Sequence, residues 1–88
     1  MSAQKIRCND IGYRKGFIEV TPAIHASCIN LEVWQVHPEV DIANIEVSDE
    51  SFPDEGVTGN VELEMSVEVA ERLIEALQAA IYKVKAGD

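Results

Sequence analysis

The side chains of this chain best suited to chemistry are two cysteines and two histidines: Cys8, His25, Cys28 and His37. His25-x-x-Cys28, with Cys8 and His37 elsewhere, has the residue types of a zinc site. A cysteine beside a histidine is also the pairing that activates a thiolate nucleophile. The spacing argues against both readings. Residues three apart on a continuous strand point to opposite faces, so only a bend after Pro22 would bring His25 and Cys28 together. The sequence around neither cysteine points to an activating pocket. We therefore expect no metal ligand set, no cofactor and no catalytic residue; a small metal- or thiol-dependent protein is the third reading in order. Two cysteines admit one disulfide, but a secreted chain this short would carry a denser framework. Free, buried thiols are the expectation.

Carboxylates are the other chemical resource. Sixteen of them in 88 residues guarantee that some lie close together, so proximity alone carries no acid–base argument. The run Asp49-Glu50-Ser51-Phe52-Pro53-Asp54-Glu55-Gly56 invites a calcium reading. Its acids and glycine fall at the wrong offsets for an EF-hand loop, and a solvated acidic loop is expected instead. Phe52, at its centre, either docks on a partner or pins the loop to the domain.

Where the charge sits says more than its total of −9. The first fifteen residues hold Lys5, Arg7, Arg14 and Lys15 against Asp10 alone. Residues 16–71 then contain thirteen acids and no lysine or arginine, after which Arg72, Lys83 and Lys85 return. Phosphate contacts need a basic face, so direct nucleic-acid binding is disfavoured. A basic protein partner is favoured by the same electrostatics. The apolar stretches fall far short of the roughly 20 residues that cross a bilayer, so no membrane partner is expected. No basic segment followed by an apolar one opens the chain, which reads as cytoplasmic.

The elements that must position these groups follow from periodicity. Alternation of apolar and polar residues predicts strands at 4–8, 17–21, 28–36, 41–47 and 61–65. In the third, Ile29, Leu31 and Val33 share one face, while Asn30, Glu32 and Trp34 share the other. The fourth places Ala43, Ile45 and Val47 inward and leaves Ile42 on the polar side. Residues 48–60 form the one long irregular segment. A helix over 67–85 carries Ala70, Leu73, Ile74, Leu77, Ile81 and Val84 as one apolar stripe. Ser66 is its expected N-cap, with acids near its positive end and lysines near its negative end.

Strands that bury one side and a helix with one apolar stripe predict a single α+β domain. It has two layers: an antiparallel sheet of four or five strands, with the C-terminal helix packed on one face. Glu19, Glu32, Glu46, Glu62 and Glu64 then point away from the helix, with Trp34 among them. The function expected from this map is that of a small acidic binding protein without enzymatic activity. Its most concrete form is an inhibitor that occupies the groove where a basic protein holds DNA or RNA phosphates, in the manner of anti-CRISPR and anti-restriction DNA mimics. The candidate partner-binding residues are Glu32, Trp34, Glu46, Glu62 and Glu64 on the sheet. Asp49, Glu50, Phe52, Asp54 and Glu55 join them from the loop. The alternative is a structural or oligomerising protein, a homodimer paired through a sheet edge or through the Trp34 face.

Overall fold

The computed structural model describes residues 3–45 and 56–87. Four strands, β1 (Gln4–Cys8), β2 (Lys15–Pro22), β3 (Cys28–Val36) and β4 (Val57–Ser66), are followed by one helix, α1 (Val67–Lys85). The strands form one antiparallel sheet in the order β1-β2-β3-β4. This is an α+β arrangement.

The register sorts the side chains cleanly onto two faces, because residues directly opposite each other in an antiparallel ladder point the same way. On one face lie the rows Gln4–Val20–Leu31–Leu63 and Ile6–Ile18–Val33–Val61, with Pro22–Ile29–Met65 beyond them. Neither these rows nor the neighbouring Cys8–Gly16–Gln35–Gly59 row contains a charged residue. On the other face lie Lys5–Glu19–Glu32–Glu62, Arg7–Phe17–Trp34–Asn60 and Thr21–Asn30–Glu64. We call these the apolar and the polar face.

The fully buried hydrophobic side chains among the described residues are Phe17, Val36 and Ile42, with Trp34, Val40 and Ile45 packed around them. This core sits on the polar face, at the end where Phe17 and Trp34 pair. Its cover is the segment 37–45, which overturns the strand expected over 41–47. Residues 41–45 form no strand; residues 46 and 47 lie outside the described part. Pro38 gives way to successive turns, with Val40 N–H donating to His37 O at 3.0 Å and Ile45 N–H to Ile42 O at 3.3 Å. The Asp41 carboxylate accepts from Ala43 N–H at 2.9 Å, the local side-chain bond that competes with a ladder. Ile42, out of step for a strand, is the residue this geometry drives into the core. An Arg7 Nη2 donor reaches Ile45 O and ties the segment down to β1.

Ser66 ends β4 and caps α1, its Oγ accepting from Val69 N–H at 3.2 Å. No loop separates strand from helix. The consequence corrects the expected packing of the helix on the sheet. Within one chain α1 meets chiefly the ends of β4 and β3, and none of its residues is buried. The radius of gyration is 14.5 Å, against about 12 Å for a compact chain of this length.

At two points the backbone is constrained by residue type. A Cβ on Gly16 would lie 1.8 Å from the Trp34 carbonyl oxygen, so only glycine fits there. In the β2–β3 connection Ala23 and Ser27 adopt φ of 57° and 65°, a left-handed conformation that costs a residue with a Cβ about 1 kcal/mol. Two opposite outcomes are expected in urea denaturation. Gly16→Ala lowers stability by about 2 kcal/mol or more, since backbone and not a flexible side chain must move. Ser27→Gly leaves it unchanged or raises it by up to about 1 kcal/mol. A Gly16→Ala protein as stable as the parent would show that β2 and β3 do not approach this closely.

Candidate partner-binding face

The polar face is built by period-two alternation on three strands. Glu19, Glu32 and Glu62 occupy one row across β2, β3 and β4, with neighbouring strands about 4.8 Å apart. Glu64 lies one row along, opposite Asn30. Like charges directly across a ladder repel, and specific donors offset that repulsion. Asn60 Nδ2 donates to Glu32 Oε2 at 3.1 Å and to Val33 O at 3.0 Å. Asn30 Nδ2, in the one buried polar residue among those described, donates to Glu62 Oε2 at 2.9 Å. His25, from the β2–β3 connection, contacts Glu64 Oε1 through its Nδ1. Glu32, Glu62 and Glu64 are therefore each held in a set orientation by a group that, for the two asparagines, removes none of the charge.

Residues 16–71 supply no lysine or arginine to this face, but Lys5 and Arg7 of β1 lie on it, because β1 pairs with β2 in the register Lys5↔Glu19 and Arg7↔Phe17. Trp34 was expected to stand exposed among the carboxylates. It is half-buried instead, packed against Phe17, Val36 and Ile42, and the Lys5 ammonium sits 5.3 Å from its ring centroid. That distance fits a cation–π contact. Trp34 is thus first a core residue and only at its rim a surface one.

Of the candidate residues, then, Glu32, Glu62 and Glu64 are brought together, with Trp34 behind them. Glu46, Asp49, Glu50, Phe52, Asp54 and Glu55 lie outside the described residues. The structure adds Glu19 in the same row and the positioning residues Asn30, Asn60 and His25. Glu19 and Asn30 carried the parity of this face in the sequence; Asn60 and His25 could be placed only once the register was known.

His25 and Cys28 share the turn between β2 and β3, where Cys28 N–H donates to His25 O at 3.0 Å, while Cys8 ends β1 and His37 follows β3. Cys8 and Cys28 are free and half-buried rather than buried. His37 Nδ1 accepts from Glu39 N–H at 3.1 Å, a local turn contact. Among the described residues no group of three or more His, Cys, Asp or Glu side chains is placed to hold a metal ion. No helix of the described residues is long and apolar enough to cross a membrane.

Comparison with protein-family models, with curated proteins and with solved structures gives no match for this chain.

Asn30 offers a direct test of how the face is held. Asn30→Asp replaces a buried amide donor by a carboxylate facing Glu62, so a hydrogen bond becomes a repulsion. We expect a loss of about 2 kcal/mol or more at neutral pH, read from the urea midpoint. Asn30→Asp with an unshifted midpoint would mean that the Asn30–Glu62 contact contributes nothing.

Proposed function

We propose that this chain is a small non-enzymatic binding protein whose polar sheet face engages a basic protein partner. The observation that carries the reading is the set of Glu32, Glu62 and Glu64, held on one face by Asn60, Asn30 and His25. Carboxylates already oriented before contact lose little side-chain freedom on binding, which lowers the cost of association. The thirteen acids between residues 16 and 71, with no lysine or arginine in that stretch, extend the same field beyond the row itself. Such a field steers a basic partner toward the face and accelerates encounter.

The partner class follows from charge. A protein surface built to bind phosphates is a concentrated basic surface, and a grid of fixed carboxylates competes with phosphates for it. The most concrete form of the reading is an inhibitor that occupies a nucleic-acid-binding groove. Lys5 and Arg7 bound the acidic area on the β1 side, so contact is centred on β3 and β4.

Affinity capture from the native host, read by mass spectrometry with the parent chain and with Glu32→Lys/Glu64→Lys, tests this. The expected captured protein is basic, and its affinity falls about tenfold or more between 50 and 300 mM salt. The double variant is expected to lose it. A partner retained by the double variant, or insensitive to salt, would overturn the electrostatic reading.

A further inference from the structure

We infer that this chain forms a two-fold homodimer in which the helix of each copy lies on the apolar sheet face of the other. The inference is independent of the acidic face. It starts from an imbalance: Phe17, Val36 and Ile42 are the fully buried hydrophobic residues among those described, while fourteen large hydrophobic ones are exposed. Eight of the fourteen fall on two surfaces. Ile6, Val61 and Leu63 stand on the apolar sheet face, and the other five form the helix stripe from Leu73 to Val84.

Both surfaces are built to be covered. The apolar face has no charged residue in any of its rows, which is the pattern of a buried layer and not of a wetted one. The helix alternates its apolar stripe with Glu68, Glu71, Arg72, Glu75 and Lys83, the pattern of a helix lying on an apolar surface. Their sizes match. A helix of 19 residues is about 28 Å long, and the nine-residue β3 is about 30 Å.

One chain cannot easily join them. Ser66 belongs both to the ladder, opposite Cys28, and to the helix cap through Val69 N–H. Folding the helix back on its own sheet needs a loop, and making one breaks that pair and that cap. A second copy carries both surfaces in the complementary arrangement, and a two-fold axis satisfies both helices at once.

The area is sufficient. Side chains worth 1.5–3 kcal/mol at 25 cal/mol per Å² present about 100 Å² each when fully exposed. Eight of them, roughly half exposed, in each of two copies give about 800 Å² from these side chains alone. The half-buried Ile18, Val20, Leu31 and Val33 and the helix's flanking atoms carry the total toward the roughly 1,200–2,000 Å² of a stable interface. The acidic face stays outside, so no carboxylate grid is buried against its copy. This pairing differs from the two alternatives read from the sequence, a sheet edge or the Trp34 face. A two-fold axis that sets the helices antiparallel also brings Lys83 and Lys85 of one copy toward Glu68 and Glu71 of the other.

Two measurements test the inference. Sedimentation equilibrium is expected to give twice the 9.7 kDa chain mass at micromolar concentration. Leu77→Glu, which enters the interface twice, is expected to weaken dimerisation at least about 100-fold while far-UV circular dichroism confirms that the sheet persists. In the second, Cys8→Ser and Cys28→Ser are combined with Val33→Cys in one chain and with Leu77→Cys in another, affinity-tagged chain. The two are mixed, equilibrated and treated with a short bis-maleimide. A tagged–untagged product joining sheet to helix supports the exchange. A monomer at all concentrations overturns it, whether the helix folds back or a foreign protein covers the face. A dimer cross-linked only helix to helix or only sheet to sheet overturns it as well.

Discussion

The structure turns on one junction. At Ser66 a strand becomes a helix without an intervening loop, and the hydroxyl that ends β4 caps α1. A capping bond of this type is worth about 1 kcal/mol, which is little beside the apolar surface that the junction leaves uncovered. Most of a helix's stability in a folded protein comes from burying its apolar stripe rather than from propensity. In this chain the stripe lies open, as does the sheet face that would receive it. Every larger feature follows: the extended dimensions, the sparse core and the pressure to acquire a second apolar layer from outside the chain.

The second feature is the division of labour between the two sheet faces. A sheet needs only one face buried, and here the chain itself covers part of the polar one. Segment 37–45 folds over Phe17, Trp34 and Val36, with Ile42 inserted and the Arg7 guanidinium bonded to Ile45 O. That arrangement places the closed core beside the carboxylate row and makes Trp34 the wall between them. The row is ordered by two asparagines, the buried Asn30 on Glu62 and Asn60 on Glu32, while Trp34 in the next row packs on the core and carries the Lys5 ammonium over its ring. Charge and packing are therefore coupled on this face in a way that neither the apolar face nor the helix requires.

These origins explain what could be read from the residues. Period-two alternation in 28–36 and period-3.6 spacing in 67–85 are strong local signals, and Ser66 as cap, the bounds of α1 and the α+β class followed from them. The parity that put Glu32 and Glu62 on one face followed as well. Segment 41–47 misled because its alternation was weak, and the local bond from Asp41 to Ala43 N–H offered the backbone another partner than a ladder. Ile42 was the warning. That the helix stands off the sheet could not be read from the stripe, since an amphipathic helix looks the same whichever apolar surface it will meet. Lys5 and Arg7 on the acidic face, and the donors Asn60 and His25, depended on strand order and register, which are set by non-local pairing.

The two proposed surfaces, finally, lie on opposite sides of one sheet, and this limits how they interact. A helix laid on the apolar face is separated from the carboxylate row by the thickness of a single sheet, so covering one leaves the other open. A two-fold pair joined through its apolar faces would carry its acidic faces outward, one on each side. Such a pair is bivalent by construction: a basic partner that is itself dimeric or repetitive would meet two faces at a fixed separation, and avidity would follow without any new contact. The same geometry sets a limit, because the spacing of the two faces is fixed by the packed layers between them and not by a flexible linker. A partner whose basic surfaces do not match that spacing gains nothing from the second face.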